Sequence, residues 1–336
     1  MLNILFVIGF VLFAAVLVRL LFLDRCFIDN ISSKVILVTG CRAGFGRAFV
    51  EKCLKEGMTV FAACRTQSGA NQLVSDFANL PGKLIAFSMD VTSDEDVERA
   101  RLMVRDYLDS CGKDLHAIVN NAGIAGKLFV DEGQTIDDYK RPVEVNAYGV
   151  MRVTKAFKSM LKRAKGRIVT CTSCVVRFPA PTMGPYVVSK WAITGYMEVL
   201  RHELYPFGVS VIIVQPGMFQ TPMTDLIDVE RKIDAHWTNL DMEIKEELGE
   251  DTVEAGKRFH RFVVGNSPSD LSSVVNTYFH AICARYPYKQ YMCGMDAYVI
   301  YRPFSFLPVA VQELVIAGIK WIWRIPPPAA LRQKLQ

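Results

Sequence analysis

The feature that most constrains this chain is a glycine-rich segment directly after an apolar, strand-like run. Residues 35–38 (VILV) lead into residues 39–46 (TGCRAGFG), a pattern that predicts a strand, a tight turn and the start of a helix. Glycines suit such a turn because the backbone needs permissive φ angles and because a phosphate must approach bare backbone. The free N–H groups of the helix N-terminus then attract an anion. The candidate nucleotide contacts in this turn are Gly40, Arg42, Gly44, Phe45 and Gly46.

From residue 34 onward, strand-like apolar runs alternate with longer amphipathic stretches. The predicted strands are 34–39, 58–63, 83–88, 115–119, 166–171 and 209–214, with 290–294 as a weaker candidate. The predicted helices are 45–56, 68–79, 93–110, 136–162, 184–205 and 269–282. This alternation predicts an α/β fold with a doubly wound parallel sheet of the Rossmann-like kind.

Composition and cysteine usage narrow the possible classes of protein. The chain has 336 residues, 51% of them hydrophobic, which is enough for one large core. The formal net charge of +5 is spread along the chain, so we expect no nucleic-acid partner. Nine cysteines in so long a chain favour buried free thiols. Cys171 and Cys174 have the spacing of a redox motif, but they follow a strand and lack the second pair of a zinc site, so we expect no metal.

The N-terminal segment is a candidate membrane anchor. Residues 2–18 are almost wholly apolar, a length that can span or deeply enter a bilayer, and we predict an N-terminal membrane helix within residues 1–29. A cleaved signal peptide is the alternative, but no basic region precedes the apolar run. Arg19, Arg25 and Lys34 on the C-terminal flank favour a cytosolic body, while a lumenal orientation stays open.

Two further segments flank the predicted sheet. Residues 223–262 are charge-rich and helical in pattern, which fits either a solvated helix pair or a lid over a substrate cleft. Residues 303–323 are apolar but interrupted by charges, which indicates a packed or interfacial helix rather than a second span. The predicted division is an anchor at 1–29, a Rossmann-like dinucleotide-binding catalytic domain at 30–295 with the lid at 223–262, and a C-terminal apolar helical extension at 296–336.

Tyr186 and Lys190 lie four positions apart on a predicted helix and therefore share one face. A free phenol has a pKa of about 10, and an adjacent ammonium lowers it. The pair is thus a candidate general acid/base, although a helical tyrosine near a surface lysine is the commoner case. Ser173 favours the catalytic interpretation, because it follows a predicted strand and ligands of open α/β sheets bind at the carboxyl ends of strands.

Together with Asn146 and the NNAG segment at 120–123, these motifs resemble the short-chain dehydrogenase/reductase family. The resemblance covers roughly residues 33–225 and points to the membrane-associated branch of retinol and 17β-hydroxysteroid dehydrogenases. It implies that Ser173 binds the carbonyl or alkoxide oxygen and that Lys190 also holds the nicotinamide ribose. Asn146, otherwise a residue that caps or kinks a helix, would complete a proton relay through water. The catalytic candidates are Asn146, Ser173, Tyr186 and Lys190.

The same resemblance implies dinucleotide contacts along the carboxyl edge of the sheet. Asp90 would accept from the adenine amino group, with a plain strand-end aspartate as the alternative. The NNAG segment would border the cofactor as well as form a turn, and residues 216–221 would close over the nicotinamide amide. Beyond the glycine turn, the implied cofactor contacts are Arg65, Asp90, Val91, Asn120, Ala122, Gly123, Tyr186, Lys190, Pro216, Gly217 and Thr221.

The end of the second predicted strand bears on the choice of cofactor. NAD enzymes carry an acid there to hold the ribose 2′-hydroxyl, but this chain reads ACRT at residues 63–66 and has no acid. Arg65 and Arg42 could instead pair with a 2′-phosphate, which predicts NADP(H) over NAD(H). Stacking of Arg65 on adenine in an NAD-preferring enzyme is the alternative, and Arg42 lies one place earlier than the basic residue of many NADP-dependent members.

The predicted function is hydride transfer between a nicotinamide cofactor and a hydrophobic alcohol, ketone or aldehyde of the retinoid or steroid kind. The predicted partners are this small molecule and membrane lipid, with the endoplasmic reticulum as the expected location and a homodimer left open. Two alternatives remain, a reductase of 3-ketoacyl or sphingoid carbonyls and a catalytically silent cofactor-binding scaffold.

Overall fold

The computed structural model describes residues 11, 13–14, 17–19 and 21–333. Its strands are β1 Val35–Thr39, β2 Thr59–Cys64, β3 Lys83–Ser88, β4 Leu115–Asn120, β5 Arg167–Cys171, β6 Ser210–Pro216 and β7 Gln290–Cys293. Its helices up to β6 are α1 Gly44–Lys55, α2 Gln67–Asp76, α3 Asp94–Cys111, α4 Ile136–Val143, α5 Val150–Ala164 and α6 Gly184–Leu204. After β6 come α7 Leu226–Thr238, α8 Met242–Leu248, α9 Glu250–Gly265, α10 Ser272–Cys283, α11 Val309–Ile322 and α12 Ala329–Gln333.

The strands form one parallel sheet in the order β3-β2-β1-β4-β5-β6-β7. All residues of β1 and β2 are buried, since helices cover both faces of the sheet and each face carries its own apolar core. The predicted doubly wound α/β sheet is therefore confirmed, and the weaker candidate at 290–294 is its edge strand. The strand order reverses between β1 and β4, where open α/β sheets bind their ligands.

Helix boundaries follow local capping signals. Thr66 and Ser93 accept hydrogen bonds from the third backbone N–H of α2 and α3, and Gly112 ends α3 in the left-handed region. One prediction was wrong in detail, because residues 136–162 do not form a single regular helix. Pro142 cannot donate a backbone hydrogen bond, and a π-helical turn at Glu144–Gly149 follows it before α5 begins.

The predicted N-terminal anchor falls largely on residues outside the described part of the chain. Within that part, no helix combines the length and apolar character needed to cross a bilayer. Residues 26–29 pack against the end of α10, where Phe27 forms a bridge with Ala284 and the Ile28 N–H donates to the Cys283 carbonyl at 2.8 Å. Ahead of them, the Arg19 guanidinium lies 3.7 Å from the centre of the Tyr288 ring. The last residues of the predicted anchor segment are thus fixed to the domain.

Helices α7 to α9 lie in the segment that the sequence analysis offered as a lid. The C-terminal extension packs against them. Trp323, just beyond α11, stacks with Phe259 and Phe262 of α9 at centroid distances of 5.4 and 4.4 Å. Arg332 of α12 forms a two-pronged ion pair with Asp251, at 2.5 and 2.8 Å. The extension is therefore packed against α9 and paired with its first turn.

Candidate active site

The glycine turn between β1 and α1 presents bare backbone at the carboxyl edge of the sheet. Gly40 has φ +71°, and a side chain there would lie 2.7 Å from the Cα atom of Ala122. Helix α1 begins at Gly44 after Ala43, which supplies no side-chain cap to its first N–H groups. These groups are free to bind an anion, so the turn has the shape and polarity that a pyrophosphate requires.

Two side chains brace this turn: Asn121 of the NNAG segment, and Tyr278, which the sequence analysis did not single out. The Asn121 amide donates to the carbonyls of Thr39 and Gly40, at 3.0 Å each. The buried Tyr278 of α10 donates its hydroxyl to the Asn121 side-chain oxygen at 3.2 Å. Tyr278 lies far along the chain from the turn, so no local sequence signal could have identified it.

Ser173, Tyr186 and Lys190 meet at the carboxyl end of β5, as predicted. Ser173 follows β5, and its hydroxyl accepts from the Val175 N–H at 3.3 Å and lies beside the Tyr186 phenol. Tyr186 and Lys190 lie in the first turns of α6, and the Lys190 Nζ is 5.5 Å from the centre of the Tyr186 ring. The Lys190 ammonium is only 4% exposed and donates to the Cys171 carbonyl at 3.0 Å. A polar triad therefore sits in a largely dry site.

Burial dominates the protonation of this triad. It raises the pKa of the Tyr186 phenol well above its usual range, and the neighbouring Ser173 hydroxyl opposes that rise. Burial likewise lowers the pKa of Lys190. The sequence analysis considered the lowering effect of the Lys190 ammonium on the pKa of Tyr186, and desolvation is the largest influence on that pKa in the structure. The phenol is accordingly protonated at neutral pH and ready to donate a proton.

Asn146 lies within the π-helical turn, 1% exposed, and its side chain points towards the triad. Its oxygen accepts from the Ile124 N–H at 2.8 Å, and its amide donates to the Ile124 carbonyl and the Ser189 hydroxyl, each at 2.8 Å. A Cβ at Gly123 would stand 3.1 Å from that oxygen and 3.5 Å from Lys190 Nζ. Asn146 thus joins the segment after β4 to α6 beside Lys190.

Arg42 and Arg65 lie together at the end of β2. The Arg42 side chain passes over Gly69 at the start of α2. Burial raises the pKa of the Cys64 thiol, and the positive charge of Arg42 opposes that rise. Both arginines are exposed, whereas the nearby Arg47 is paired with Asp76 at 2.8 Å. Two cations are therefore available at the position where a carboxylate would select a free ribose hydroxyl.

Three other predicted cofactor residues lie at the carboxyl edge of the sheet, and their side chains differ in burial and in hydrogen bonding. The Asp90 carboxylate accepts from the Thr92 N–H and hydroxyl, each at 2.8 Å, through one of its two oxygens. The neighbouring Val91 is buried. The Asn120 amide points into the core and donates to Thr154 at 3.1 Å, so only its backbone can face a ligand.

Residues 216–221, the end of β6 and the loop after it, also lie at the carboxyl edge of the sheet. The Phe219 ring packs edge-on against Phe45 of the glycine turn, with centroids 5.5 Å apart. The Thr221 side chain lies 3.8 Å from the position of a Cβ on Gly44. This loop therefore approaches the start of α1, as expected for a segment that closes over the far end of a dinucleotide.

These residues suit a nicotinamide dinucleotide. The bare glycine turn fits the pyrophosphate, the cations at β2 fit the adenosine end, and the triad after β5 lies where the nicotinamide end would reach. A protonated phenol beside a hydroxyl can bind and protonate a carbonyl oxygen.

Comparison with known proteins agrees with this geometry. The short chain dehydrogenase pattern matches residues 34–232. The chain is 35% identical over 329 residues to 3beta-hydroxysteroid dehydrogenase dhs-16 of Caenorhabditis elegans, covering 95% of this chain and 83% of that protein. It is 34% identical over 299 residues to retinol dehydrogenase 5 of Mus musculus, covering 89% and 91%.

Solved structures share the fold. A variant of actinorhodin polyketide ketoreductase with NADPH superposes with a TM-score of 0.63 at 26% identity, over 80% of this chain and 98% of that one. A Burkholderia phymatum short chain dehydrogenase/reductase in complex with NAD gives a TM-score of 0.64 at 22% identity, over 89% and 98%.

Proposed function

Because this chain belongs to the short-chain dehydrogenase family, in its retinol and hydroxysteroid dehydrogenase branch, we propose that it interconverts hydrophobic alcohols and carbonyls with a nicotinamide cofactor. The chain is an NAD(P)-dependent oxidoreductase, and the proposal concerns its residues, substrate and location. The observation that carries it is the triad, in which the Ser173 hydroxyl lies beside the half-buried Tyr186 phenol and Lys190 is buried next to them.

Each triad residue has a distinct role in the proposed reaction. Ser173 holds the carbonyl or alkoxide oxygen and stabilises the charge that develops there. Tyr186 donates the proton in reduction and accepts it in oxidation. Lys190 positions the nicotinamide ribose, and Asn146 links it to a proton relay. When bound, the nicotinamide ring supplies or accepts the hydride, and its oxidised form adds a positive charge that favours the phenolate.

The proposed cofactor is NADP(H) rather than NAD(H). Arg42 and Arg65 supply two exposed cations at the end of β2, and the residues of that strand end include no acid to accept from a free 2′-hydroxyl. A 2′-phosphate carries close to two negative charges and suits paired guanidinium groups. Stacking of Arg65 on adenine is the competing role, and it would permit NAD(H).

The proposed substrate is a retinoid-like or steroid-like lipid that enters beneath the α7–α9 lid. The ring of His236 in α7 packs edge-on against Phe129, at a centroid distance of 4.8 Å. This contact joins α7, which follows the loop after β6, to the loop after β4, and so supports a lid over the carboxyl edge of the sheet. The names of the relatives, a hydroxysteroid and a retinol dehydrogenase, support this class of substrate.

The proposed location is the membrane of the endoplasmic reticulum, with the catalytic domain facing the cytosol. The apolar N-terminal sequence supports an anchor. Helix α11 supports a second contact, because it buries none of its residues and exposes an apolar stripe at helical spacing. The stripe comprises Val311, Leu314, Val315, Trp321 and Ile322. Apolar residues exposed on α6, such as Trp191 and Val199, also suit a homodimer.

A substrate panel tests the proposal. Microsomes that contain the full chain should oxidise NADPH with retinal or a 3-ketosteroid, and should reduce NADP⁺ with the matching alcohol. Sphingoid and 3-ketoacyl carbonyls form the competing arm of the panel. Activity only in that arm would replace the proposed substrate class, and cofactor binding without turnover on any member would favour a silent scaffold.

A further inference from the structure

We propose that Asp296, at the start of the C-terminal extension, is a positioning residue that fixes the loop after β6 against the nicotinamide end of the cofactor. The inference rests on the proposed function and deepens it, because it assigns a specific role in hydride transfer to the extension. Asp296 lies well beyond residues 34–232, where the family pattern ends.

The contacts of Asp296 tie two distant segments together. One carboxylate oxygen accepts from the Met218 backbone N–H at 2.7 Å, and the other accepts from the Ala297 N–H at 2.9 Å. On the same side, the Gly217 N–H donates to the Cys293 carbonyl at 2.8 Å. The first residues of the loop are therefore bonded to the end of β7 and to the residue that opens the extension.

Two glycines beside the carboxylate make room for it. A Cβ on Gly217 would stand 2.5 Å from the Asp296 Cγ, and a Cβ on Gly294 would stand 2.5 Å from its Oδ1. Gly294 also has φ +99°, which side chains rarely adopt. Among the ion pairs of the described residues, none includes Asp296. The hydrogen-bond partners of the carboxylate are thus backbone N–H groups and not a cation. Such bonds fix the position of a loop.

The loop that Asp296 holds touches the cofactor turn at its other end. Phe219 contacts Phe45, and Thr221 lies near Gly44, as described above. The Cys174 thiol, next to Ser173, donates to the Gln215 carbonyl just before the loop, at 3.1 Å. A shift at Met218 would therefore move the segment that lies between the triad and the glycine turn. Such a shift should disturb the nicotinamide end and spare the adenosine end.

The experiment compares Asp296→Asn with the wild-type full chain in detergent. The substitution keeps the size of the side chain but turns one acceptor into a donor, which would face an N–H group. Asp270→Asn is the matched control, since Asp270 also accepts from a backbone N–H, that of Ser272 at 2.9 Å, but lies on the exposed approach to α10. Affinities are measured for NADPH and for 2′-phospho-ADP-ribose, which lacks the nicotinamide, together with kcat and KM.

We expect Asp296→Asn to weaken NADPH binding and lower kcat/KM by about tenfold or more, the usual scale for a lost hydrogen bond to a charged group. Affinity for 2′-phospho-ADP-ribose should stay unchanged, as should every value for Asp270→Asn. Equal losses for both ligands would mean that Asp296 serves folding only and would overturn the inference, as would no loss for either. Wild-type chain that binds neither ligand would contradict the proposed function itself, and that control is measured first.

Discussion

At the scale of single residues, desolvation is the main physical influence on the site. Burial raises the pKa of Tyr186 and lowers that of Lys190, and the two side chains approach each other without a direct hydrogen bond. A protonated phenol can donate the proton that reduction of a carbonyl requires, with no further shift of its pKa. Oxidation needs the phenolate, which the positive charge of the oxidised nicotinamide would favour.

Arg65→Asp should shift cofactor preference from NADP(H) towards NAD(H). The guanidinium would pair with the 2′-phosphate, whereas a carboxylate repels it and can accept from a free 2′-hydroxyl. A charge-assisted hydrogen bond contributes about 1.5–3 kcal/mol, so the ratio of kcat/KM values should change by about tenfold or more. The measurement is kcat/KM for both cofactors at two ionic strengths, and the shift should be smaller at high salt.

Arg163→Asp is the control for that experiment. Arg163 is exposed near the C-terminal end of α5, and its substitution makes the same change in charge away from the strand ends that carry the site. Wild-type enzyme that already prefers NAD(H) would show that Arg65 stacks on adenine and does not bind a phosphate.

Site residues that belong to a local sequence pattern could be predicted from the sequence. Site residues that approach one another only in the folded chain could not. Ser173, Tyr186 and Lys190 could be found because strand end and helix spacing place them. Tyr278 and Asp296 could not, because each reaches the site from the C-terminal third of the chain through a single side-chain hydrogen bond. Neither belongs to a recognisable motif.

At the scale of elements, the parallel sheet followed from the apolar runs because the five central strands are buried almost throughout, whereas the edge strands β3 and β7 are only partly buried. The π-helical turn at Glu144–Gly149 was not predicted, because the apolar period continues across it and only Pro142 signals a break. This turn is what directs Asn146 into the site. The π-helical turn, which the sequence analysis did not predict, therefore carries the candidate catalytic residue Asn146.

The C-terminal end of α10 shows how a buried guanidinium and an imidazole replace a cap. Arg167 donates to the carbonyls of Ala281 and Ala284 at 2.8 and 2.6 Å, and the His116 ring meets the Ile282 carbonyl at 2.6 Å. These groups satisfy carbonyls that a helix end leaves free. Burial lowers the pKa of His116 to about 4, so this imidazole is neutral in the native state at neutral pH.

His116 should make the protein less stable as the pH falls. Its pKa is about 6.5 in the unfolded chain and about 4 in the native state, so between those values the unfolded chain binds the proton more readily. From pH 7 to pH 5 the free energy of unfolding should fall by about 1–2 kcal/mol through this group.

His116→Gln keeps a donor for the Ile282 carbonyl and should remove that part of the pH dependence. Denaturant unfolding at both pH values measures the difference between variant and wild type. Other buried histidines titrate in both proteins and cancel in the comparison. Identical pH slopes would contradict the assignment.

At the scale of the whole molecule, the C-terminal extension contacts two distant segments of the chain and carries an exposed apolar helix. It opens with Asp296 at the cofactor loop, continues through the exposed apolar stripe of α11, and ends with Trp323 and Arg332 on the lid. The sequence predicted an apolar helix there but not its contacts, because these depend on where the sheet places the lid.

Removing residues 1–18 should weaken membrane attachment while leaving Arg19 and its contacts with Tyr288 in place. Some attachment should remain through the α11 stripe, and adding Leu314→Glu and Trp321→Glu should release the chain into the soluble fraction. Carbonate extraction and flotation with liposomes measure this. Complete retention of the doubly altered chain in the membrane pellet would contradict the assignment of these two surfaces.

The central claim is that Tyr186 transfers the proton in a hydride-transfer reaction, and Tyr186→Phe tests it most directly. The measurement is kcat on the best substrate of the panel together with the Kd for NADPH. We predict a fall in kcat of about 100-fold or more, since general acid catalysis contributes at least that much, with a Kd close to that of wild type because the lost hydroxyl faces Ser173. A kcat comparable to wild type would contradict the account.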